Sequence, residues 1–408
     1  MMVDRGRRRF VVGLVGSGVA TAAGGVGTSA GDAPTSTDDE TVWTFQTGGS
    51  IATAPTVVDG TVYAPSNDEY IYALTAAEGD EVWRFDTGSL NGSSPTVVDD
   101  TVFVGCNDGT VYAIDATNGD ERWSYSTGRA VRSSPAVADG VVYVGSRDGT
   151  LYAIDTADGT TVWTFETGDT VSGSPVVDGE TVYFGSRDGT IYALDTEDGE
   201  ESQERWHVDT AGPITTTPAV HDGVVYVGGT DATLYALDAT DGEEVWTFAA
   251  NNRVGSPTVA EDTVYVGTTS DTVYALETAA ADTKWTASTT GSVSTAPAVL
   301  DERIVVNAGN SLSAIDIADG DEAWRFDTEQ RVRAPPTTAD GVVYAGSWDR
   351  RVYAIDPAAF STDDDTPTTT SSGDGTDATP GPGPLGVLAG VGTATYLLAR
   401  RHAADVDR

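Results

Sequence analysis

The sequence predicts an all-β fold, an eight-bladed β-propeller of four-stranded antiparallel blades. Tryptophan recurs through the middle of the chain, from Trp43 to Trp324, at spacings of 40, 40, 40, 43, 40, 39 and 39 residues. A period of this length is typical of propellers and solenoids. Asp-Gly pairs separate short segments rich in valine, isoleucine and tyrosine, which indicates β-hairpins. Four short strands in each repeat match one propeller blade.

The repeat from 135 to 165 shows how one blade is built. Asp-Gly pairs occur at 139–140, 148–149 and 158–159, and both central positions of a type I′ turn need positive φ. The repeat opens with a proline, which a sheet tolerates at the first residue of a strand. These turns bound four predicted strands: Pro135–Ala138, Val141–Val144, Thr150–Ile154 and Thr161–Phe165.

The number of blades and the way the ring closes follow from the ends of the repeat region. Eight prolines open first strands: Pro55, Pro95, Pro135, Pro175, Pro218, Pro257, Pro297 and Pro336. The eighth repeat lacks a fourth strand after Asp356, whereas the region begins with a spare strand, Thr41–Phe45. We predict that residues 43–47 pair with the last blade and close the ring, because closure removes a free sheet edge.

A short motif recurs with the tryptophans: Ala-x-Asp, then Gly four residues later, then Trp four after that. Ala113, Asp115, Gly119 and Trp123 are one case, and the motif returns around Trp163, Trp246 and Trp324. It resembles the tryptophan-docking motif of the pyrroloquinoline-quinone-type (PQQ-like) propeller repeats. That family includes quinoprotein dehydrogenases and the bacterial outer-membrane-assembly propeller lipoprotein, and the chain is more similar to the lipoprotein. The resemblance implies a structural docking role for Trp43, Trp83, Trp123, Trp163, Trp206, Trp246, Trp285 and Trp324.

The charge of the chain excludes several classes of function. Its 63 acidic and 22 basic residues give a net charge of −41, and Lys284 is the one lysine. Such a chain cannot bind nucleic-acid backbones in general, because phosphate affinity needs clustered Lys and Arg. We expect a halophilic, archaeal protein that stays soluble in high salt, where charge repulsion is screened. Cys106, the one cysteine, excludes an intramolecular disulfide and a CxxC site.

The two ends of the chain are predicted to lie outside the propeller. Residues 1–30 are predicted to be an export signal resembling the twin-arginine type, with an ordinary secretory signal as the alternative, and residues 31–40 a linker. The propeller is placed at 41–357. A Ser/Thr/Asp/Pro/Gly-rich stalk (358–384) precedes an apolar segment (385–401) and a tail (402–408). This order resembles the C-terminal sorting tails of archaeal surface proteins; the alternative is a plain transmembrane anchor.

No residue is predicted to be catalytic, to bind a cofactor or to bind a metal. The resemblance implies that a quinoprotein enzyme needs a tryptophan stacked on the quinone, a calcium ion and an aspartate base. Here the blades have near-minimal length, the recurring tryptophans belong to the docking motif, and Cys106 lacks the neighbouring cysteine of many such enzymes. The three histidines show no metal-ligand spacing. An oxidoreductase that uses pyrroloquinoline quinone with calcium remains the enzymatic alternative.

The scarce arginines collect on one predicted rim of the ring, where interblade connections and second-to-third-strand turns meet. Trp348 lies in one of these turns outside the docking motif and is expected to be exposed; an exposed tryptophan among arginines is typical of a binding hot spot. The alternative is local pairing of the arginines with Asp148, Asp188 and Asp349. The predicted partner-binding residues are Arg132, Arg147, Arg187, Arg253, Arg331, Arg333, Trp348 and Arg350.

Together these features predict an exported propeller on the outer face of the cell membrane or in the envelope, anchored at its C-terminus. It is expected to be a monomeric, non-catalytic scaffold that binds a protein or a surface glycan at the arginine-rich rim. It should touch the membrane through its anchor alone. A structural envelope component without a specific ligand is the third hypothesis. Asn91, in Asn-Gly-Ser, is a candidate N-glycosylation site.

Overall fold

A computed structural model describes residues 40–196 and 204–360, which belong to one compact unit. The predicted export signal, the apolar C-terminal segment, the tail and almost all of the linker and stalk lie outside these ranges. Within them, the chain forms strands and a short 3-10 helix, Pro357–Phe360. No helix in these ranges is long and apolar enough to cross a membrane.

The strands form eight four-stranded antiparallel sheets, as predicted. The first strand, β1 (Thr41–Gln46), belongs to the last sheet. Blades 1 to 4 follow it: β2 (Thr56–Val58), β3 (Thr61–Pro65), β4 (Tyr70–Thr75) and β5 (Glu81–Asp86); β6 (Thr96–Val98), β7 (Thr101–Gly105), β8 (Thr110–Asp115) and β9 (Glu121–Ser126); β10 (Ala136–Ala138), β11 (Val141–Gly145), β12 (Thr150–Asp155) and β13 (Thr161–Glu166); β14 (Val176–Asp178), β15 (Thr181–Gly185), β16 (Thr190–Asp195) and β17 (Glu204–Asp209).

Blades 5 to 8 repeat this order. Their strands are β18 (Ala219–His221), β19 (Val224–Gly228), β20 (Thr233–Asp238) and β21 (Glu244–Ala249); β22 (Thr258–Ala260), β23 (Thr263–Gly267), β24 (Thr272–Glu277) and β25 (Thr283–Ser288); β26 (Ala298–Leu300), β27 (Arg303–Ala308), β28 (Ser311–Asp316) and β29 (Glu322–Asp327); and β30 (Thr337–Ala339), β31 (Val342–Gly346) and β32 (Arg351–Ile355). Of the three Asp-Gly turns predicted between 135 and 165, the first has the expected backbone, with a φ of 48° at Asp139 and 81° at Gly140. In the other two, only the glycines, Gly149 and Gly159, have positive φ, so these two turns are not of type I′.

The ring closes through the first strand, which confirms the predicted closure. Strand β1 pairs with β32, and the register places Trp43 opposite Ala354 and Phe45 opposite Val352. Beyond the strand, the Thr47 amide donates a hydrogen bond of 2.8 Å to the Arg350 carbonyl. The eighth blade therefore takes its fourth strand from the start of the repeat region.

The tryptophans join neighbouring blades. In blade 2, Trp83 of the preceding blade donates from Nε1 to the Ala116 carbonyl at 2.9 Å. Gly119 lies against the same indole, and a Cβ there would lie 2.9 Å from two ring atoms. Equivalent bonds to the next blade are made by Trp43, Trp123, Trp206, Trp246 and Trp285.

Trp324 differs, because its ring stacks on Phe360 with 4.7 Å between the centroids. Phe360 ends the 3-10 helix and is buried. The propeller therefore includes the first three residues of the predicted stalk, 358–360. The reason is that blade 8 has no third turn to cover Trp324, so an aromatic side chain from the following segment covers it instead.

Candidate binding cavity

A cavity of about 1270 Å³ opens on the face where interblade connections meet the turns between second and third strands. Its wall draws on blades from both sides of the ring. The connections supply Ala52, Thr53, Leu90, Asn91, Gly92, Arg132, Arg253, Thr290, Gly291, Ser292, Ser294, Arg331, Val332 and Arg333. The turns and strand ends supply Asn67, Asn107, Thr269, Asn307, Gly309, Asn310, Ser311, Asp327 and Trp348.

In two of the interblade connections, a buried valine lies next to arginines that line the cavity. Val131 is fully buried against the glycine that ends β7, Gly105, where a Cβ would lie 2.3 Å from the valine. Val332 is buried in the connection between blades 7 and 8. Arg132 beside Val131, and Arg331 and Arg333 on the two sides of Val332, line the cavity, and Val332 itself is part of the wall.

The charge of the cavity wall is positive, opposite to the net charge of the whole chain. Its wall contains four arginines and one carboxylate, Asp327, in a chain of net charge −41. The arginines contact neutral groups: Arg132 Nε donates to Asn107 Oδ1 at 2.9 Å, and Arg253 Nη2 donates to Thr215 Oγ1 at 3.2 Å. The Arg333 guanidinium lies over the Trp348 ring at 4.4 Å from its centroid.

The predicted partner-binding residues separate into two groups. Arg132, Arg253, Arg331, Arg333 and Trp348 share the cavity wall. Arg147, Arg187 and Arg350 lie in the same set of turns, and the structure does not place them in that wall.

In the described residues, the carboxylates of Asp148, Asp188 and Asp349 do not form salt bridges with the arginines of the rim, which was the alternative prediction. Asp148 accepts hydrogen bonds from the Gly128 amide at 2.7 Å and the Tyr152 hydroxyl at 2.8 Å. Asp188 and Asp349 likewise accept from the hydroxyls of Tyr192 and Tyr353. The salt bridges of the described residues involve other arginines: Arg84, Arg122, Arg205, Arg325 and Arg351.

Two expectations about individual residues are corrected. Trp348 is partly buried rather than exposed, because Arg333 covers its ring, and its buried Nε1 has no hydrogen-bond partner in the described ranges. Asn91 is 4% exposed, and its Nδ2 donates to the Ser66 and Tyr70 carbonyls, both at 2.9 Å. A glycan needs that nitrogen at the surface, so the folded propeller does not present Asn91 for N-glycosylation.

The neutral polar part of the wall was not predicted from the sequence. Asn67, Asn107 and Thr269 occupy the turn position that holds Arg147, Arg187 and Trp348 in other blades. Alignment of the repeats on the tryptophans would have found them, because turns at the same register lie on the same face. With them, the wall can donate and accept hydrogen bonds around the arginines.

The described residues do not fit a calcium-dependent quinone site. Across 40–196 and 204–360, no three His, Cys, Asp or Glu side chains lie close enough together to hold a metal ion. Calcium needs six to eight oxygen ligands, with carboxylates prominent among them, whereas Asp327 is the one acidic residue of the wall. The indole of the wall, Trp348, is covered by Arg333 and so offers a quinone no open face on that side.

Comparison with known proteins relates the whole repeat region to two families. The family model described as outer membrane protein assembly factor BamB matches residues 5–134 and 253–379. The model described as the β-propeller of the beta-alanine-activating enzyme matches residues 92–309. No curated protein matches the chain.

Solved structures share the fold at low sequence identity. The computationally designed Ika8 protein is 21% identical, with a TM-score of 0.69, over 78% of this chain and 99% of the designed one. BamB from Moraxella catarrhalis is 20% identical, with a TM-score of 0.66, over 78% of this chain and 99% of its own. At such identities the likeness concerns the fold.

Proposed function

The chain belongs to the PQQ-like β-propeller family that includes BamB, and on this premise we propose that it is a non-catalytic scaffold that captures an anionic partner in the arginine-lined cavity. The single observation that carries the proposal is the positive charge of this cavity: its wall contains four arginines and one aspartate, in a protein of net charge −41. The partner is a protein or a surface glycan that presents carboxylates.

The chemistry of arginine supports a carboxylate partner. The guanidinium is planar and offers paired donors that match a carboxylate with two parallel hydrogen bonds. Arg132 contacts an amide, Arg253 a hydroxyl and Arg333 an indole. Because these partners are neutral, they do not neutralise the positive charges of the three arginines. Exposed ion pairs in high salt contribute little, which favours a recessed site with bidentate geometry over long-range attraction.

The site of action is part of the proposal. The twin-arginine-like start, the stalk and the apolar C-terminal segment support an exported protein held at the outer face of the membrane or envelope. These segments lie outside the described residues, so the support comes from their composition. The acidic remainder of the surface would then keep the scaffold soluble in high salt and repel unspecific acidic partners.

Affinity capture from intact envelopes at native salt tests the proposal. Arg333→Ala and Trp348→Ala should each abolish capture of the partner while circular dichroism and melting remain close to wild type. The matched control is Arg84→Ala: Arg84 also lies over an aromatic ring, Tyr70, at 5.2 Å, but outside the cavity. It should leave capture unchanged.

Three results would count against the scaffold. If both cavity variants capture the partner as well as wild type does, the cavity is not the binding site. If wild type captures nothing specific, a structural envelope component is the better description. If added pyrroloquinoline quinone and calcium produce dye-linked oxidation of an alcohol or sugar, the enzymatic alternative holds.

A further inference from the structure

The arginine-lined cavity extends outward over blade 7. The first strands of neighbouring blades contact one another, so they are innermost and the fourth strands are outermost. Asp327, the last residue of the fourth strand β29, lines the cavity. In the described parts of the other seven blades, no fourth strand contributes to the wall. Because adjacent strands lie about 4.8 Å apart, β29 is about 14 Å from the innermost strand of its blade.

A short turn accompanies this extension. Two residues, Gly309 and Asn310, join β27 to β28, and pairing continues to Ala308 opposite Ser311. In each of the other seven blades, four residues join the second strand to the third. Both Gly309 and Asn310 line the cavity, and the glycine has no side chain that could fill it. The short turn therefore leaves the cavity open toward the outer edge of blade 7. We call the wall residues within 290–294, 307–311 and 327–333 the blade-7 trough.

The exposed groups of the blade-7 trough are polar. Ser292, Ser294 and Asn310 line the cavity and are exposed, and hydroxyl and amide groups can both donate and accept hydrogen bonds. Within the described ranges, the one exposed large apolar residue of the whole wall is Leu90, in the connection between blades 1 and 2. Protein interfaces depend on apolar and aromatic anchors at their centre. The trough therefore suits a partner rich in hydroxyl groups better than the surface of a folded protein.

Two arginines lie inward of Asp327. Arg331 and Arg333 belong to the connection that runs from the outermost strand of blade 7 to the innermost strand of blade 8. Both are exposed, and neither takes part in a salt bridge among the described residues. A guanidinium can hold a carboxylate through two parallel hydrogen bonds. The trough thus has a carboxylate-binding inner end and neutral hydrogen-bonding groups further out.

We propose that the blade-7 trough binds a linear glycan that carries carboxylates, of the polyuronic acid class. One carboxylate would pair with Arg331 and Arg333, and the chain would extend outward past Asn310 and Asp327. Its sugar hydroxyls would exchange hydrogen bonds with Ser292 and the Asn310 amide. This inference rests on the proposed function, because it uses the same cavity, and it assigns the partner to a glycan rather than a protein.

Calorimetric titration of the full chain at the salt concentration used for envelope capture tests the proposal. The probes are polygalacturonate, polyglutamate of similar length and the neutral glycan dextran. We expect saturable binding of polygalacturonate. Polyglutamate should bind about tenfold more weakly, because it has no hydroxyls for the outer groups of the trough. Dextran should not bind measurably, since it has no carboxylate for the arginines.

Variants of the outer part of the trough test the path of the chain. Asn310→Ala should weaken binding of polygalacturonate about threefold to tenfold and leave digalacturonate unchanged, because the short probe occupies the arginine end. Asp327→Asn should strengthen binding of polygalacturonate about twofold to fivefold, because a like charge is removed from the path. The matched control is Asp86→Asn. Asp86 ends β5 at the same position of blade 1, outside the cavity wall, so its replacement should leave the affinity unchanged.

Each part of the proposal can fail separately. Equal or tighter binding of polyglutamate would overturn the assignment to a glycan and leave a carboxylate partner in place. Unchanged polygalacturonate affinity in folded Asn310→Ala and Asp327→Asn variants would overturn the path over blade 7. If wild type binds no polygalacturonate while envelope capture still depends on Arg333, this inference alone is wrong. If envelope capture also fails, the proposed function is wrong as well.

Discussion

The guanidinium of Arg333 lies 4.4 Å from the centroid of the Trp348 ring, in the wall of the arginine-lined cavity. This contact joins the connection between blades 7 and 8 to the turn between β31 and β32. A cation over an indole gains about 0.5–2 kcal/mol, depending on how well water is excluded. The contact holds one positive charge at a defined place in the wall.

A first prediction follows for the indole. Trp348→Phe keeps an aromatic face under Arg333 and should retain most of the partner capture. Trp348→Leu keeps apolar bulk without that face, so Arg333 should lose its orientation and capture should fall about tenfold. Quantitative pull-down at native salt compares the two variants. Equal capture by both would show that the ring acts by bulk alone.

A second prediction concerns ring closure. Deletion of residues 41–47 removes β1, its pairing with β32 and the docking of Trp43, which is 8% exposed. Loss of a buried tryptophan alone costs about 3–5 kcal/mol, so thermal and urea unfolding should show a strong loss of stability. Deletion of residues 31–37 from the predicted linker is the control. An unchanged melting temperature after the first deletion would contradict the closure as a source of stability.

A third prediction separates backbone strain from packing at two glycines. Gly119 and Gly60 have similar positive φ values, 78° and 73°, but a Cβ at Gly119 would press on Trp83 while one at Gly60 would meet nothing within 4 Å. Gly60→Ala should cost about 1–2 kcal/mol of unfolding free energy from its φ alone. Gly119→Ala should cost a further 1–3 kcal/mol or so from overpacking. Urea unfolding of both variants measures the difference.

A fourth prediction concerns pH. The hydrogen bond of 2.6 Å between His207 Nδ1 and Glu204 Oε1 raises the pKa of His207 above its usual value. The ion pair therefore stabilises the fold fully below the unfolded-state pKa of about 6.5, and this contribution is lost as pH rises through the higher folded-state pKa. NMR titration of His207 should show the raised value, and Glu204→Gln should lower it. The exposed position keeps the effect on melting small.

A fifth prediction concerns Cys106. Its thiol is fully buried, and burial raises its pKa to about 12. Because the thiolate is the reactive form, iodoacetamide at neutral pH should not label the folded protein, and labelling should follow unfolding in urea. Rapid labelling under native conditions would show that blade 2 opens at this point.

Much of the fold could be predicted because the same pattern of turns and strands recurs in every repeat of the sequence. The hairpins, the first strands that follow a proline and the spare strand that contains Trp43 depend on local backbone rules, and sheet pairing confirmed these strands. The cavity was harder to predict. The order of residues shows which side chains share a rim, but burial depends on contacts between distant segments, such as Arg333 over Trp348 and Asn91 against the Ser66 and Tyr70 carbonyls.

The pairing of β1 with β32 also has a mechanical consequence. The register places Thr41 opposite Ile355, and the Asp356 amide donates to the Glu40 carbonyl at 3.0 Å. A pull applied between residue 40 and residue 356 would therefore load this hydrogen bond first and peel the two strands apart one rung at a time. Single-molecule pulling between these two residues should therefore find a first unfolding event at low force.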